Sequence, residues 1–116
     1  MPVVNMVKVG VPSNRNDEVW ESEDTLVSQG TNGNIILIPG GVQSISVTVS
    51  LTGGAAAKVQ TTTDILNTVI NGSPVWIDWP LGAVSVNSSD KCSPVTAIRL
   101  YQTVAGTASK MTVRAQ

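Results

Sequence analysis

Apolar and polar residues alternate with a period of two through residues 43–63, QSISVTVSLTGGAAAKVQTTT. Ile45, Val47, Val49 and Leu51 fall on one side of that pattern, and Ser44, Ser46, Thr48 and Ser50 on the other. Beyond Thr52, Gly53 and Gly54, the residues Ala55, Ala57 and Val59 alternate with Ala56, Lys58 and Gln60. Successive side chains of a strand point to opposite faces of a sheet, so this stretch predicts a β-hairpin with one buried face. The rhythm returns near the C-terminus. Ile98 and Leu100 point inward against Arg99 and Tyr101, and Met111, Val113 and Ala115 against Lys110, Thr112 and Arg114. Ala105, Gly106 and Thr107 supply the turn of a second predicted hairpin.

The remaining elements follow from breaks in that pattern. Residues 34–39 (NIILIP) are continuously apolar, as a strand covered on both faces is. Residues 18–29 fit a strand better than a helix, followed by a turn at 30–33. Residues 64–71 (DILNTVIN) change rhythm: Ile65, Leu66, Val69 and Ile70 fit one or two helical turns, with Asp64 as N-cap and Gly72 and Pro74 as stop. A short helix packed across an open end of the sandwich is expected, with a strand as the competing reading. In VWIDWP, residues 75–80, Val75, Ile77 and Trp79 share one face and Trp76 and Asp78 the other. Residues 84–87 pair again, and 88–94 form a polar loop. Seven or eight strands with frequent turns predict an all-β, single-domain antiparallel β-sandwich of jelly-roll type, with one short helix at 64–71. Residues 1–17 stand apart as an N-terminal arm or edge strand, and 18–116 form the sandwich domain.

Composition sharpens this picture. The 116 residues suffice for one core without staples. With no His, no Phe, three Trp and one Tyr, that core must be built of β-branched aliphatics between thin layers. A net charge of −1, with seven scattered basic residues, gives no electrostatic case for nucleic acid or an anionic membrane. Cys92 is the single cysteine, so an intrachain disulfide is ruled out. The N-terminal apolar run is too short to span a bilayer and lacks the charge order of a signal peptide, so synthesis in the cytoplasm is expected.

Chemistry is hard to find. Without His the usual proton shuttle near neutral pH is missing, and no Cys/His metal set exists. Neither catalytic nor cofactor-binding residues are assigned. The acids Asp17, Glu18, Glu21, Glu23 and Asp24 read as a solvated face, without the loop spacing of a calcium site. The glycine-rich stretches GTNGN and LTGGA precede no helix that would cradle a phosphate. Asp78, between Trp76 and Trp79, reads as a local hydrogen-bonding group before a proline turn. Trp76, Asp78 and Tyr101 form the one candidate surface patch, of the kind on which a sugar stacks.

Several stretches taken together resemble a known group. Gly40, Gly41 and Val42 leading into SISVTVSLTGGAAAKVQTT, then SPVWIDWPLGAVSV, then VTAIRLYQTVAGTASKMTVRAQ, are similar to small β-sandwich proteins of tailed-phage virions. The resemblance covers residues 40–116 and transfers no functional residue. It implies a non-enzymatic virion structural protein, a capsid decoration (cement) protein bound to the major capsid protein as a homodimer or homotrimer. The alternative it leaves is a carbohydrate- or receptor-binding module of a tail or fibre, with Trp20, Trp76 or Tyr101 as platform. Val3, Val4, Met6, Val7, Val9 and Val11 are the expected protein contact. Removal of residues 1–12 is then expected to leave a folded domain that no longer binds shells.

Overall fold

A computed structural model of the chain describes residues 3–9, 19–26 and 32–116. Those residues form β1 (Val3–Asn5), β2 (Val7–Val9), β3 (Val19–Leu26), β4 (Ile35–Leu37), β5 (Ile45–Thr52), β6 (Ala56–Thr62), α1 (Leu66–Asn71), β7 (Ile77–Asp78), β8 (Ser88–Cys92), β9 (Ala97–Val104) and β10 (Ala108–Ala115). One sheet has the order β1-β4-β9-β6-β7 and the other β2-β3-β10-β5-β8. Neighbours are antiparallel except β1 and β4. The molecule is the all-β sandwich that the alternation predicts. Strands β3 to β10 couple in nested pairs, β3 with β10, β4 with β9, β5 with β8 and β6 with β7, and the contacts β10–β5 and β9–β6 join the couples. That is the winding of a jelly roll. β1 and β2 add one further edge strand to each sheet.

The two glycine turns do not close hairpins. β5 bonds to β10 and β8, whereas β6 bonds to β9 and β7, so the chain crosses between sheets at residues 53–55. β9 and β10 likewise lie in different sheets. Both connections are arches. A hairpin and an arch demand the same alternation, because each sends every second side chain into the core. They differ in how the strand rotates about its own axis at the turn, and periodicity does not encode that. The arches lie against each other: the Thr107 amide donates to the Thr52 carbonyl at 3.0 Å. Gly53, at φ 66°, approaches Thr107 so closely that a Cβ would run into it, and a Cβ on Gly106 would meet the backbone of Ala55.

Between the sheets, Ile36, Ile98, Leu100 and Val59 face Ile45, Val47, Val49, Met111 and Val113, all buried. Ile35 and Ala97 point the other way and pack under Val69 of α1. The apolar run of β4 is thus covered on both sides, but the helix lies on the outer face of the first sheet rather than across an open end. Asp64 does not cap it. Ile65 occupies the N-cap position without a side-chain bond, and the Asp64 carboxylate accepts from the Val75 amide at 2.6 Å. Residues 88–92, expected in a loop, form edge strand β8, with Ser88, Asp90 and Cys92 opposite Val49, Val47 and Ile45. A strand carrying so few apolar residues gives no periodic signal. Along 75–80 the shared face is lost: Trp79 is buried while Val75 and Ile77 are exposed. β7 is two residues long, and the following turn rotates Trp79 inward, where its indole nitrogen donates to the Gly82 carbonyl at 2.6 Å.

At the N-terminus the chain joins the first sheet as β1 and the second as β2, with Met6 alone between them. The Met6 side chain enters the core and is 5% exposed. The predicted loop at 13–17 and the first two residues of the predicted turn at 30–33 lie outside the described residues.

Candidate functional site

The outer face of the first sheet carries a cluster of polar and aromatic groups, Lys58, Gln60, Trp76, Asp78, Arg99 and Tyr101. Register alone sets Lys58 opposite Tyr101 and Gln60 opposite both Arg99 and Asp78. Because inward positions of β6 and β9 are filled by Val59, Ile98 and Leu100, the alternating Lys58, Gln60, Arg99 and Tyr101 must point outward. Their side chains then link across three strands. The Asp78 carboxylate pairs with Lys58 Nζ at 3.1 Å and accepts from Gln60 Nε2 at 3.1 Å. Gln60 Oε1 accepts from Arg99 Nε at 2.8 Å. The Arg99 guanidinium lies 4.2 Å from the Trp76 ring centroid, and Lys58 Nζ lies 5.5 Å from that of Tyr101.

The electrostatics follow from those contacts. Hydrogen bonds from Gln60 and then Lys58 hold the Asp78 carboxyl below its usual range. Burial pushes the Arg99 guanidinium down, without removing its charge at neutral pH. Trp76, Asp78 and Tyr101, singled out in the sequence, therefore do meet in one network. Gln60, Lys58 and Arg99 connect them. Their outward positions were legible in the sequence, but their neighbours depend on the cross-strand register, which alternation does not supply.

Beside the network, a cleft of about 350 Å³ opens between α1 and the sheet, lined by Ile35, Val69, Ile70, Pro74, Trp76 and Arg99 among others. An apolar ridge runs along α1, where Leu66 and Ile70 stand one turn apart just after Ile65; the three are between 47% and 71% exposed, and Ile70 reaches the cleft. On its other flank, Leu66 meets a second cleft of about 310 Å³ together with Met6, Trp20, Leu37 and Ile38.

The N-terminal residues are used within the chain itself. Met6 lies in the core, Val4 packs partly against it, and Val3 packs beneath α1. Val7 is exposed on an edge strand, Val9 belongs to the same strand, and Val11 lies outside the described residues. Trp20 is half-buried against the core. Cys92 is a half-buried free thiol, raised above its ordinary pKa by burial and then by Asp90. Among the described residues no three His, Cys, Asp or Glu side chains converge as a metal site, and no helix is long and apolar enough to cross a membrane. No protein-family model, curated protein or solved structure matches the chain.

Proposed function

We propose that this chain is a non-enzymatic virion structural protein, a decoration protein that docks on the outer surface of a phage head and stabilises it. Its partner is the major capsid protein, and it acts as a homodimer or homotrimer after synthesis in the host cytoplasm. The resemblance of residues 40–116 to virion β-sandwich proteins supports this reading. The observation that carries it is the apolar ridge of Ile65, Leu66 and Ile70 along α1, exposed on a molecule rich in hydroxyl and amide groups. Contiguous exposed apolar side chains mark surfaces that meet another protein. Many copies on a repeated lattice need only modest individual contacts once an oligomer spans several subunits. Binding the assembled shell and not its free subunits stabilises it by mass action.

The ridge replaces the N-terminal residues as the proposed contact, because Met6 and Val4 are engaged in the chain's own core. The test is co-sedimentation of purified protein with shells that lack it. Ile65→Ser combined with Ile70→Ser is expected to leave the fold intact and weaken occupancy by about tenfold, from the apolar area removed. A wild-type protein that ignores intact shells overturns the reading.

A second reading, a carbohydrate- or receptor-binding module of a tail or fibre, has the cleft beside Trp76 in its favour. Against it, one face of the Trp76 ring is already taken by Arg99. Glycan binding that is lost in Trp76→Ala would favour this reading over the first.

A further inference from the structure

Arg99 differs from three other cations of the outer faces. Lys58 pairs with Asp78, Lys110 with Glu23 and Arg114 with Glu21, whereas among the described residues no carboxylate pairs with Arg99 or with exposed Lys91, and of these two only Arg99 is held by a side-chain hydrogen bond. Its partners are a neutral amide and a ring. Gln60 takes the Nε hydrogen and Trp76 backs the guanidinium plane. Gln60 is itself fixed by Asp78, which is fixed by Lys58. The guanidinium is thus held by a chain of bonds that uses only Nε; among the described residues no acceptor takes its two terminal nitrogens, and the side chain lines the cleft. A guanidinium whose terminal nitrogens are unused matches a carboxylate end-on, through two parallel N–H···O bonds.

The rest of the cleft has a different character. Ile70, Val69 and Pro74 give it an apolar side, and Ser73 places a hydroxyl on its rim. A volume of about 350 Å³ lies within the range of small-ligand sites, which combine apolar walls with a few orienting polar groups. Pre-organised donors add affinity because little freedom remains to be lost on binding.

We propose that this cleft binds a compact carboxylate-bearing ligand with an apolar flank, the carboxylate on the terminal nitrogens of Arg99 and the flank against Ile70 and Pro74. The site is independent of whether the chain sits on a head or a fibre. The ligand class is set by the fixed cation and the apolar wall. A neutral ligand of the same shape would leave the half-buried guanidinium without an anion.

The experiment is a titration of the ¹⁵N-labelled full chain with two matched pairs, benzoate against benzamide and D-glucuronate against D-glucose. At least one acid is expected to shift the Gly72 and Ser73 amides and the Arg99 Nε–H saturably, and to bind about tenfold or more tightly than its neutral counterpart. Which acid does so tells a planar apolar acid from a sugar acid. Arg99→Gln is expected to remove the preference for the acid, and Glu21→Gln, in the other sheet, to leave it unchanged. The comparison within each pair uses the wild-type chain, so it stands even where a variant fails to fold. Equal binding of acid and neutral partner, absence of any saturable shift, or a preference that survives in folded Arg99→Gln overturns the proposal.

Discussion

Asp24 shows how a single side chain ties the two sheets together at an electrostatic cost. It lies on β3 opposite Met111, on the inward side, and its carboxylate accepts from the Asn34 amide at 2.8 Å. Gly33 leaves it room, since a Cβ there would run into the carboxylate. Burial raises the Asp24 pKa, only partly offset by the bonds from Asn34 and Thr25. A raised carboxyl pKa means that the folded state holds the proton more tightly than the unfolded chain. Stability contributed here therefore increases as pH falls from the raised value toward 3.8, and is absent at higher pH. Asp78 has the opposite sign, its contribution being present at neutral pH and lost on acidification, so the two are separated by difference. Asp24→Asn is expected to keep the bond from Asn34, abolish this part of the pH slope and slightly raise stability at neutral pH. Denaturant titrations of both proteins across the acid range measure it, and an unchanged slope contradicts it. Met6 is the other residue with an outsized role. Its truncation to Ala is expected to cost about 2–5 kcal/mol, as for other buried Met positions, read as a lower denaturation midpoint at unchanged m-value.

At the scale of elements, the alternation told which side of β5, β9 and β10 is buried; β5 and β10 follow it residue by residue and β9 from Ile98 onward, while β3 shows no clear period. It could not tell which strand lies beside which. Ile45, Val47 and Val49 face inward equally well in a hairpin or an arch, and only the strand order distinguishes them. β8 escaped notice because Ser88, Ser89, Asp90 and Lys91 carry no apolar signal, and their pairing to β5 is imposed by the neighbour. The network of Trp76, Asp78 and Tyr101 was visible as three residue types, but Arg99 joins it only through register with Gln60. The arches themselves are testable. Gly53 and Gly54 both have positive φ, yet only Gly53 has Thr107 against it. Gly54→Ala is expected to cost about 1 kcal/mol from backbone strain alone. Gly53→Ala should cost clearly more, because the methyl group also pushes the two arches apart. Equal denaturation midpoints for the two variants would show that the arches are not in tight contact.

The whole molecule is a jelly roll whose first and last strands do unequal work. β1 and β2 sit at edges, so removing residues 1–12 uncovers two neighbouring strands and empties the place of Met6. The expectation of an undisturbed domain after that truncation gives way to one of a weakened domain. β10 is at the opposite extreme: in the second sheet it is the strand that joins β3 to β5. Until residues 108–115 are available, β3 and β5 have no ladder between them, and the inward row of Met111, Val113 and Ala115 is missing from the core. A chain halted at residue 107 is expected to give a flat near-ultraviolet circular dichroism spectrum and rapid proteolysis, and sharp aromatic bands would refute this. On the ribosome the same placement holds back the second sheet, since the β2–β3 and β5–β8 pairs stay two separate halves, open and vulnerable to chaperones and proteases, until the strand that emerges after them. That sheet, and the core it covers, should therefore close in one step rather than grow strand by strand as the chain is translated.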